Sequence, residues 1–152
     1  MITTGYVAAA DVLGLRLASD PAVRTSVVRW TPVLVHGLAP GPAIDFVLDL
    51  SGELLVGLLV EDASLWLPAP ALAAPTGTPA RCEVTPSGRF WIPFLPEAAE
   101  VWRTATRIVL PAGGLAVQLL WTGGHRLVAV EVEDPARLHP SVPLPRLQPA
   151  ER

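Results

Sequence analysis

The sequence predicts an all-β fold: an antiparallel β-sandwich of about eight or nine strands, with a small closed β-barrel as the alternative. Three observations predict it. Apolar and polar residues alternate with a period of two along most of the chain. Short turns rich in Gly, Pro and Ser separate these runs, as antiparallel neighbours require. The chain has 152 residues, an ordinary length for one domain.

The first two apolar runs are the least regular of the chain. Val7–Leu17 fits either a short N-terminal helix or a strand, and Asp20-Pro21 ends it in both cases. The Val-rich run Arg24–His36 predicts a strand. Pro32 interrupts that strand with a bulge or an edge, because proline donates no hydrogen bond to a ladder.

The strongest hairpin signal lies in the middle of the chain. In Ile44–Leu50 the apolar residues at the even positions alternate with Asp45, Val47 and Asp49. Ser51-Gly52 turns the chain, and Glu53–Val60 returns it. The following stretch from Pro68 to Pro79 is built mainly from Ala, Pro, Thr and Gly. Its composition predicts an irregular loop within the domain, because strand signals resume directly after it.

A second hairpin follows that loop. Arg81–Thr85 and Arg89–Leu95 form its strands, and Pro86-Ser87-Gly88 forms its turn. Within the second strand Phe90, Ile92 and Phe94 share one face, so that face is expected to enter the core. Glu97–Glu100 predicts a short helical turn.

The C-terminal part adds three more strands and a tail. Val101–Leu110, Leu115–Trp121 and Arg126–Val132 each alternate, and glycine-containing turns separate them. The domain is therefore expected to span residues 1–134. Residues 135–152 hold five prolines and are expected to form an extended tail.

The hairpin segment Thr85–Pro96, with the sequence TPSGRFWIPFLP, resembles a stretch of carboxypeptidase-regulatory-like, transthyretin-like β-sandwich modules. Gly88 allows the turn, Phe90 and Ile92 enter the core, and Pro96 ends the strand. The resemblance implies a sandwich fold and a non-catalytic scaffold or adhesion role.

Composition excludes several classes of partner. Apolar residues make up 51% of the chain and charged residues only 16%, against about 25% in an average domain. The net charge of −3 and the lack of a basic run argue against nucleic acid. The most apolar run, Leu54–Val60, is far shorter than the ~20 residues of a membrane span. With no signal-peptide pattern at the N-terminus, we expect a cytoplasmic location.

The residues that most often carry catalysis or bind metals are few and scattered. His36, His125 and His139 show no metal-ligand spacing, so the sequence predicts no metal site and no cofactor. Cys82, the single cysteine, is in phase with Val84, which predicts a buried core thiol rather than a nucleophile.

Four carboxylates occur as pairs on strand faces. Asp45 and Asp49 share one face of their strand, and Glu131 and Glu133 share one face of theirs. The simpler interpretation is a solvated face. The alternative is half of a general acid–base pair, which would need a partner that the sequence does not identify.

Five tryptophans against one tyrosine is an unusual ratio. Trp30, Trp102 and Trp121 are in phase with apolar neighbours and are expected in the core. Trp66 and Trp91 are not, and exposed Trp is enriched in binding hot spots. These two residues are therefore the candidate contacts for a protein partner.

Three functions are consistent with this pattern. The first is a non-catalytic structural or interaction module, a subunit of a homo-oligomer or of a larger protein assembly. The alternative is a small β-barrel that binds an apolar ligand or catalyses a cofactor-free reaction such as a cyclisation, in a pocket lined by Phe46, Trp102 and Trp121. A conventional hydrolase or metal enzyme is the least favoured.

Overall fold

A computed structural model describes residues 1–20, 22–31, 43–94, 104–110, 114–122 and 126–144. Its strands form two antiparallel sheets, which confirms the predicted all-β sandwich. The first sheet contains six strands: β1 (Thr3–Val7), β2 (Val12–Arg16), β3 (Thr25–Trp30), β4 (Ile44–Asp49), β5 (Leu55–Glu61) and β6 (Thr78–Pro79). Their order across the sheet is β3-β4-β5-β2-β1-β6.

The second sheet contains five strands: β7 (Glu83–Val84), β8 (Phe90–Pro93), β9 (Thr104–Val109), β10 (Ala116–Trp121) and β11 (Leu127–Val132). Their order is β7-β8-β11-β10-β9. Over the residues described, the two sheets share no strand pairing and do not close on each other. The alternative of a closed barrel is therefore wrong.

One apolar core lies between the sheets. Each sheet contributes the alternating residues of its inner face, as a half-buried strand must. Phe46 of β4 and Phe90 of β8 have no exposed surface. Cys82 is also buried in this core, as its phase with Val84 predicted.

The N-terminal segment Val7–Leu17 is not helical, so the short N-terminal helix is wrong. Its first residue ends β1, and Val12 to Arg16 form β2, which pairs with β1 in an antiparallel hairpin. Ala8, Ala9 and Ala10 favour a helix locally, but they form the turn. Asp11 closes that turn in the left-handed region at φ 51°. Burial of Leu13 and Leu15 against the core overrides the helical preference of the alanines.

The Ala- and Pro-rich segment 68–79 is more ordered than a loop. Helix α1 (Ala63–Trp66) connects β5 to the segment, and helix α2 (Ala69–Leu72) lies within it. The segment then pairs with the edge of β1, where the amide of Tyr6 donates to the carbonyl of Ala74 at 2.8 Å. This contact places residues 74–79 beside the first hairpin.

The described part of the tail, residues 135–144, packs on the domain. It starts with a 3-10 turn (Pro135–Arg137). Leu138 then forms a parallel bridge with Leu55, and the amide of His139 donates to the Leu55 carbonyl at 2.9 Å. The side chains of Leu138 and Val142 are buried in the core.

Some sequence predictions fall outside the described residues. They concern Pro32 and His36, the helical turn Glu97–Glu100, Trp102, and His125. No helix in the part of the chain that the structure describes has the length and apolar character to span a membrane.

Candidate functional site

The outer face of the six-stranded sheet carries an unusual amount of exposed apolar surface. Alternation along the strands places one aliphatic side chain from each of the five long strands on this face. They are Val27, Val47, Leu59, Val12 and Val7. Val27, Val7 and Leu59 are 56%, 47% and 37% exposed, and the other two are half-buried. We call this surface the outer face.

A shallow groove of about 410 Å³ lies on the part of the outer face formed by β1 and β2. Its floor is the cross-strand pair Gly5 and Gly14 of β1 and β2. Leu59 and Thr76 stand on either side, and Arg16 lies near one end. Because glycine has no side chain, the floor lies at the level of the backbone. We call this feature the glycine groove.

Two glycines of this face are required by close backbone approach. A Cβ on Gly5 would lie 2.3 Å from the Cα of Thr76, so the segment around Thr76 can cross β1 only over a glycine. A Cβ on Gly57 would lie 2.6 Å from the carbonyl oxygen of Leu15. On Gly14 it would meet only the Leu59 side chain, at 3.4 Å. Gly14 therefore leaves open space rather than relieving a clash.

The charges of the outer face are distributed unevenly. On the half formed by β3, β4 and β5, Arg29 donates to Asp45 at 2.8 Å and contacts Glu61 as well. Asp49 of β4 belongs to the same half. On the other half, Arg16 of β2 is exposed. Asp45 is only 6% exposed, so the simple interpretation of Asp45 and Asp49 as a solvated face is wrong for Asp45. Its ion pair with Arg29 compensates for that burial.

Asp49 has a local structural role. Its carboxylate accepts hydrogen bonds from the hydroxyl of Ser51 at 2.7 Å and from the amides of Glu53 and Leu54 at 3.2 Å. These bonds, led by that of Ser51, lower the pKa of Asp49. The carboxylate therefore fixes the β4–β5 turn, which argues against an acid–base role.

The solvent side of the five-stranded sheet carries ion pairs. Arg89 donates to Glu131 at 2.9 Å, and Arg107 makes two hydrogen bonds to Glu133 at 2.7 and 3.0 Å. Gln118 donates to the same Glu133 carboxylate. Hydrogen bonding from Arg107 lowers the pKa of Glu133. Paired charges therefore occupy much of the centre of this face.

The two candidate tryptophans lie at different places and are both half-buried. The ring of Trp66 meets Trp121 edge-on, with centroids 6.4 Å apart and planes at 77°. Trp91 packs beside Leu120 and Ala129 on the outside of the second sheet. Each ring therefore already has contacts within the domain, and their role in partner binding stays a prediction.

The three residues expected to line a ligand pocket have separate environments. Phe46 is fully buried in the core, and Trp102 lies outside the described residues. Trp121 packs at the margin of the core, where its ring nitrogen donates to the hydroxyl of Thr106 at 3.2 Å. With the barrel excluded, the geometry that would have joined these residues around a ligand is lost.

A polar cluster that the sequence did not predict joins the first hairpin to α1. The carboxylate of Asp11 accepts hydrogen bonds from the Tyr6 hydroxyl at 2.7 Å and from both the amide and the hydroxyl of Ser64, at 2.9 and 2.6 Å. The Ser64 hydroxyl contributes most to lowering the pKa of Asp11. The same cluster raises the pKa of Tyr6, chiefly through its hydrogen bond to Asp11. Every group already has a partner, so the cluster holds structure in place.

Two further reactive groups among the described residues, His139 and Cys82, have local structural environments. The Nδ1 atom of His139 lies 2.9 Å from the hydroxyl of Ser141 and accepts from the amide of the same residue at 3.1 Å, which describes a turn. Burial raises the pKa of the Cys82 thiol to about 12, so it remains protonated and unreactive. Over the residues that can be described, no three His, Cys, Asp or Glu side chains converge as a metal site.

Comparison with protein-family models, with curated proteins and with solved structures found no match to this chain. The resemblance of residues 85–96 to transthyretin-like modules therefore stays a prediction. The outer face and its glycine groove remain the candidate functional site on physical grounds alone. The sequence contained their signals, namely Leu59 at an outward position of β5 and glycines in three neighbouring strands, but the strand register was needed to bring them together.

Proposed function

We propose that this protein is a non-catalytic structural module that binds another protein chain through the outer face of its six-stranded sheet. The observation that carries the proposal is the row of aliphatic side chains across five strands, with Val27, Val7 and Leu59 well exposed. A sheet normally turns polar residues to water on its solvent side. Contiguous exposed apolar surface on a folded domain commonly marks an interaction site.

The shape of the surface favours a protein over a small ligand. Small-molecule sites are concave and bury most of the ligand. The glycine groove is shallow, lies on the outside of the sandwich, and is continuous with the exposed Val27 side of the same face. A broad and nearly flat partner surface can cover both regions at once.

The chemistry of the groove supports a binding role rather than catalysis. Its lining offers one charged side chain, Arg16, and the hydroxyls of Thr3, Thr4 and Thr76 among glycines and aliphatic residues. No histidine or carboxylate is among these lining residues, and a guanidinium is a poor general acid or base. Such a lining suits apolar contact with a polar rim.

Site-specific photo-cross-linking in the cells that make the protein tests the proposal. A benzophenone amino acid replaces Leu59 on the outer face or, as a matched control, Leu50 in the β4–β5 turn, which is 62% exposed. We expect irradiation to give a discrete covalent protein adduct from position 59 and little from position 50. Equal adduct yields at the two positions, or none at position 59, would overturn the proposal.

A further inference from the structure

We infer that the partner of the outer face is a second copy of this chain, packed face to face about a two-fold axis along the seam between β2 and β5. This inference rests on the proposed function and names its partner. It follows from three properties of the face: its shape, its charge distribution and its size. The shape and the charge distribution are self-complementary across this seam, and the size suffices for a pair.

The first property is a projection beside a depression. Leu59 of β5 and Gly14 of β2 are direct partners in the β2–β5 ladder. A two-fold axis that runs along the seam between them places Leu59 of each copy over Gly14 of the other. The same operation places Arg16 over Gly57. One surface thus supplies both halves of the contact, which is the defining property of a two-fold interface.

The second property is the asymmetry of charge across the seam. The β3–β5 half carries three carboxylates, Asp45, Asp49 and Glu61, against the single cation Arg29. The β2 side carries Arg16. The two-fold operation brings Arg16 of each copy over the acidic half of the other, beside β4. Unlike charges therefore meet twice in the pair, and partial removal of water strengthens their attraction.

The third property is the area of the face. Strands lie about 4.8 Å apart and rise about 3.4 Å per residue, so five long strands present roughly 500 Å² of flat surface in each copy. A pair would cover about 1,000 Å², the lower limit for a specific interface. Sheets commonly pack face to face in this way at about −30°. Gly14 has no side chain and permits a close approach beside Leu59, whereas Gly5 is covered by Thr76.

Sedimentation equilibrium of the purified full chain tests the inference. We expect a concentration-dependent monomer–dimer equilibrium for the unchanged protein. Leu59→Glu is expected to weaken it by about 30-fold or more, the effect of losing a hot-spot residue. Arg16→Glu is expected to weaken it by about 10-fold. The matched controls Leu50→Glu and Arg81→Glu change exposed residues elsewhere, and we expect them to leave the equilibrium unchanged.

Cross-linking between two different variants tests the register of the pair. Leu59→Cys and Gly14→Cys are made as separate chains and mixed with a short bismaleimide, and the native Cys82 is too buried to interfere. The mixed pair retains one intact Leu59–Gly14 contact. We expect it to cross-link well above Gly14→Cys mixed with Leu50→Cys.

A monomer at all concentrations would overturn the inference, as would a dimer that Leu59→Glu and Arg16→Glu leave intact. The photo-cross-linking test separates this failure from failure of the proposed function. A monomer that gives a position-59 adduct with a different protein retains the docking face but excludes the self-paired dimer. A monomer that gives no adduct at position 59 contradicts both.

Discussion

Leu59 and Gly14 lie directly opposite each other in the β2–β5 ladder, and the Leu59 side chain stands 3.4 Å from the point where a Cβ on Gly14 would lie. A leucine that projects from one strand thus lies at van der Waals distance from a position without a side chain on the next. If this surface faces only water, the exposed part of the Leu59 side chain contributes no free energy of burial. A second surface packed beside the leucine would bury that part.

The glycines of this face are expected to differ in their tolerance of a methyl group. Gly5→Ala places a Cβ against the backbone of Thr76, which cannot move without breaking the contact between β1 and residues 74–79. We expect a loss of about 1–3 kcal/mol in the free energy of unfolding, measured by urea denaturation. Gly14→Ala meets only a leucine side chain and is expected to stay within about 0.5 kcal/mol. Equal losses for the two variants would contradict this account.

Cys82 is expected to be unreactive in the folded protein. Burial raises the pKa of its thiol to about 12, and the thiolate is the reactive species. At pH 8 a chromogenic disulfide reagent should modify the native chain far more slowly than the urea-unfolded chain, in which the pKa returns to about 8.5. Stoichiometric modification of the native protein at the unfolded rate would show that the thiol is accessible.

Tyr6 is expected to ionise above its ordinary pKa. Its hydroxyl donates to Asp11, and the nearby carboxylate opposes a second negative charge. Because the folded pKa exceeds the unfolded value, this contribution to stability is complete below about pH 10 and is lost as the pH rises through the folded pKa. Tyr6 is the single tyrosine, so absorbance at the phenolate wavelength reports it alone.

Asp11→Gly is the matched variant for that titration. Glycine accepts the left-handed backbone at position 11 without strain, and the substitution removes the carboxylate. We expect the Tyr6 transition to move back toward the ordinary tyrosine pKa. The Tyr6–Asp11 hydrogen bond would be excluded if Tyr6 titrated at the ordinary tyrosine pKa in the unchanged protein. It would also be excluded if Asp11→Gly left the titration unchanged.

The edge-on contact of Trp66 with Trp121 is expected to couple α1 to the second sheet. A double-mutant cycle with Trp66→Leu and Trp121→Leu isolates that pair. Edge-to-face pairs contribute about 0.5–1.5 kcal/mol beyond the apolar area that they bury, and we expect a coupling in that range from chemical denaturation. Strictly additive losses would mean that the two rings stabilise the fold independently.

Strand positions were predictable from the sequence where one face of a strand is buried. The period-two pattern of residues 44–50 predicted β4. Strand β5 begins at Leu55 rather than at Glu53 because Leu54 still belongs to the turn. The run 115–121 likewise predicted β10 (Ala116–Trp121). In these strands local pattern and tertiary environment agree, so the period alone suffices.

The errors arose where long-range contacts override local preference. Three alanines favour a helix near residue 9, yet burial of Leu13 and Leu15 selects a hairpin, and Asp11 bonds to Ser64 from 53 positions away. The prolines of segment 68–79 suggested a loop, but pairing with β1 gave it a strand. A local sequence pattern does not indicate contacts with residues that are distant along the chain.

The candidate site was the least predictable feature. Its tryptophan contacts, Trp66 and Trp91, were chosen because they fall out of phase with their neighbours, and both have partners inside the domain. The glycine groove depends on Gly5, Gly14 and Leu59 lying in one row across three strands. Register creates that row, and the order β5-β2-β1 is not sequential along the chain.

The central claim is that two copies of the chain pair through the outer face of the six-stranded sheet, and a dilution series followed by methyl NMR tests it on the unchanged protein. We predict that the methyl signals of Leu59, Val27 and Val7 shift together as the concentration falls, while those of Leu50 stay constant. Concentration-independent signals from the outer face, or shifts confined to Leu50 or to the second sheet, would contradict the account.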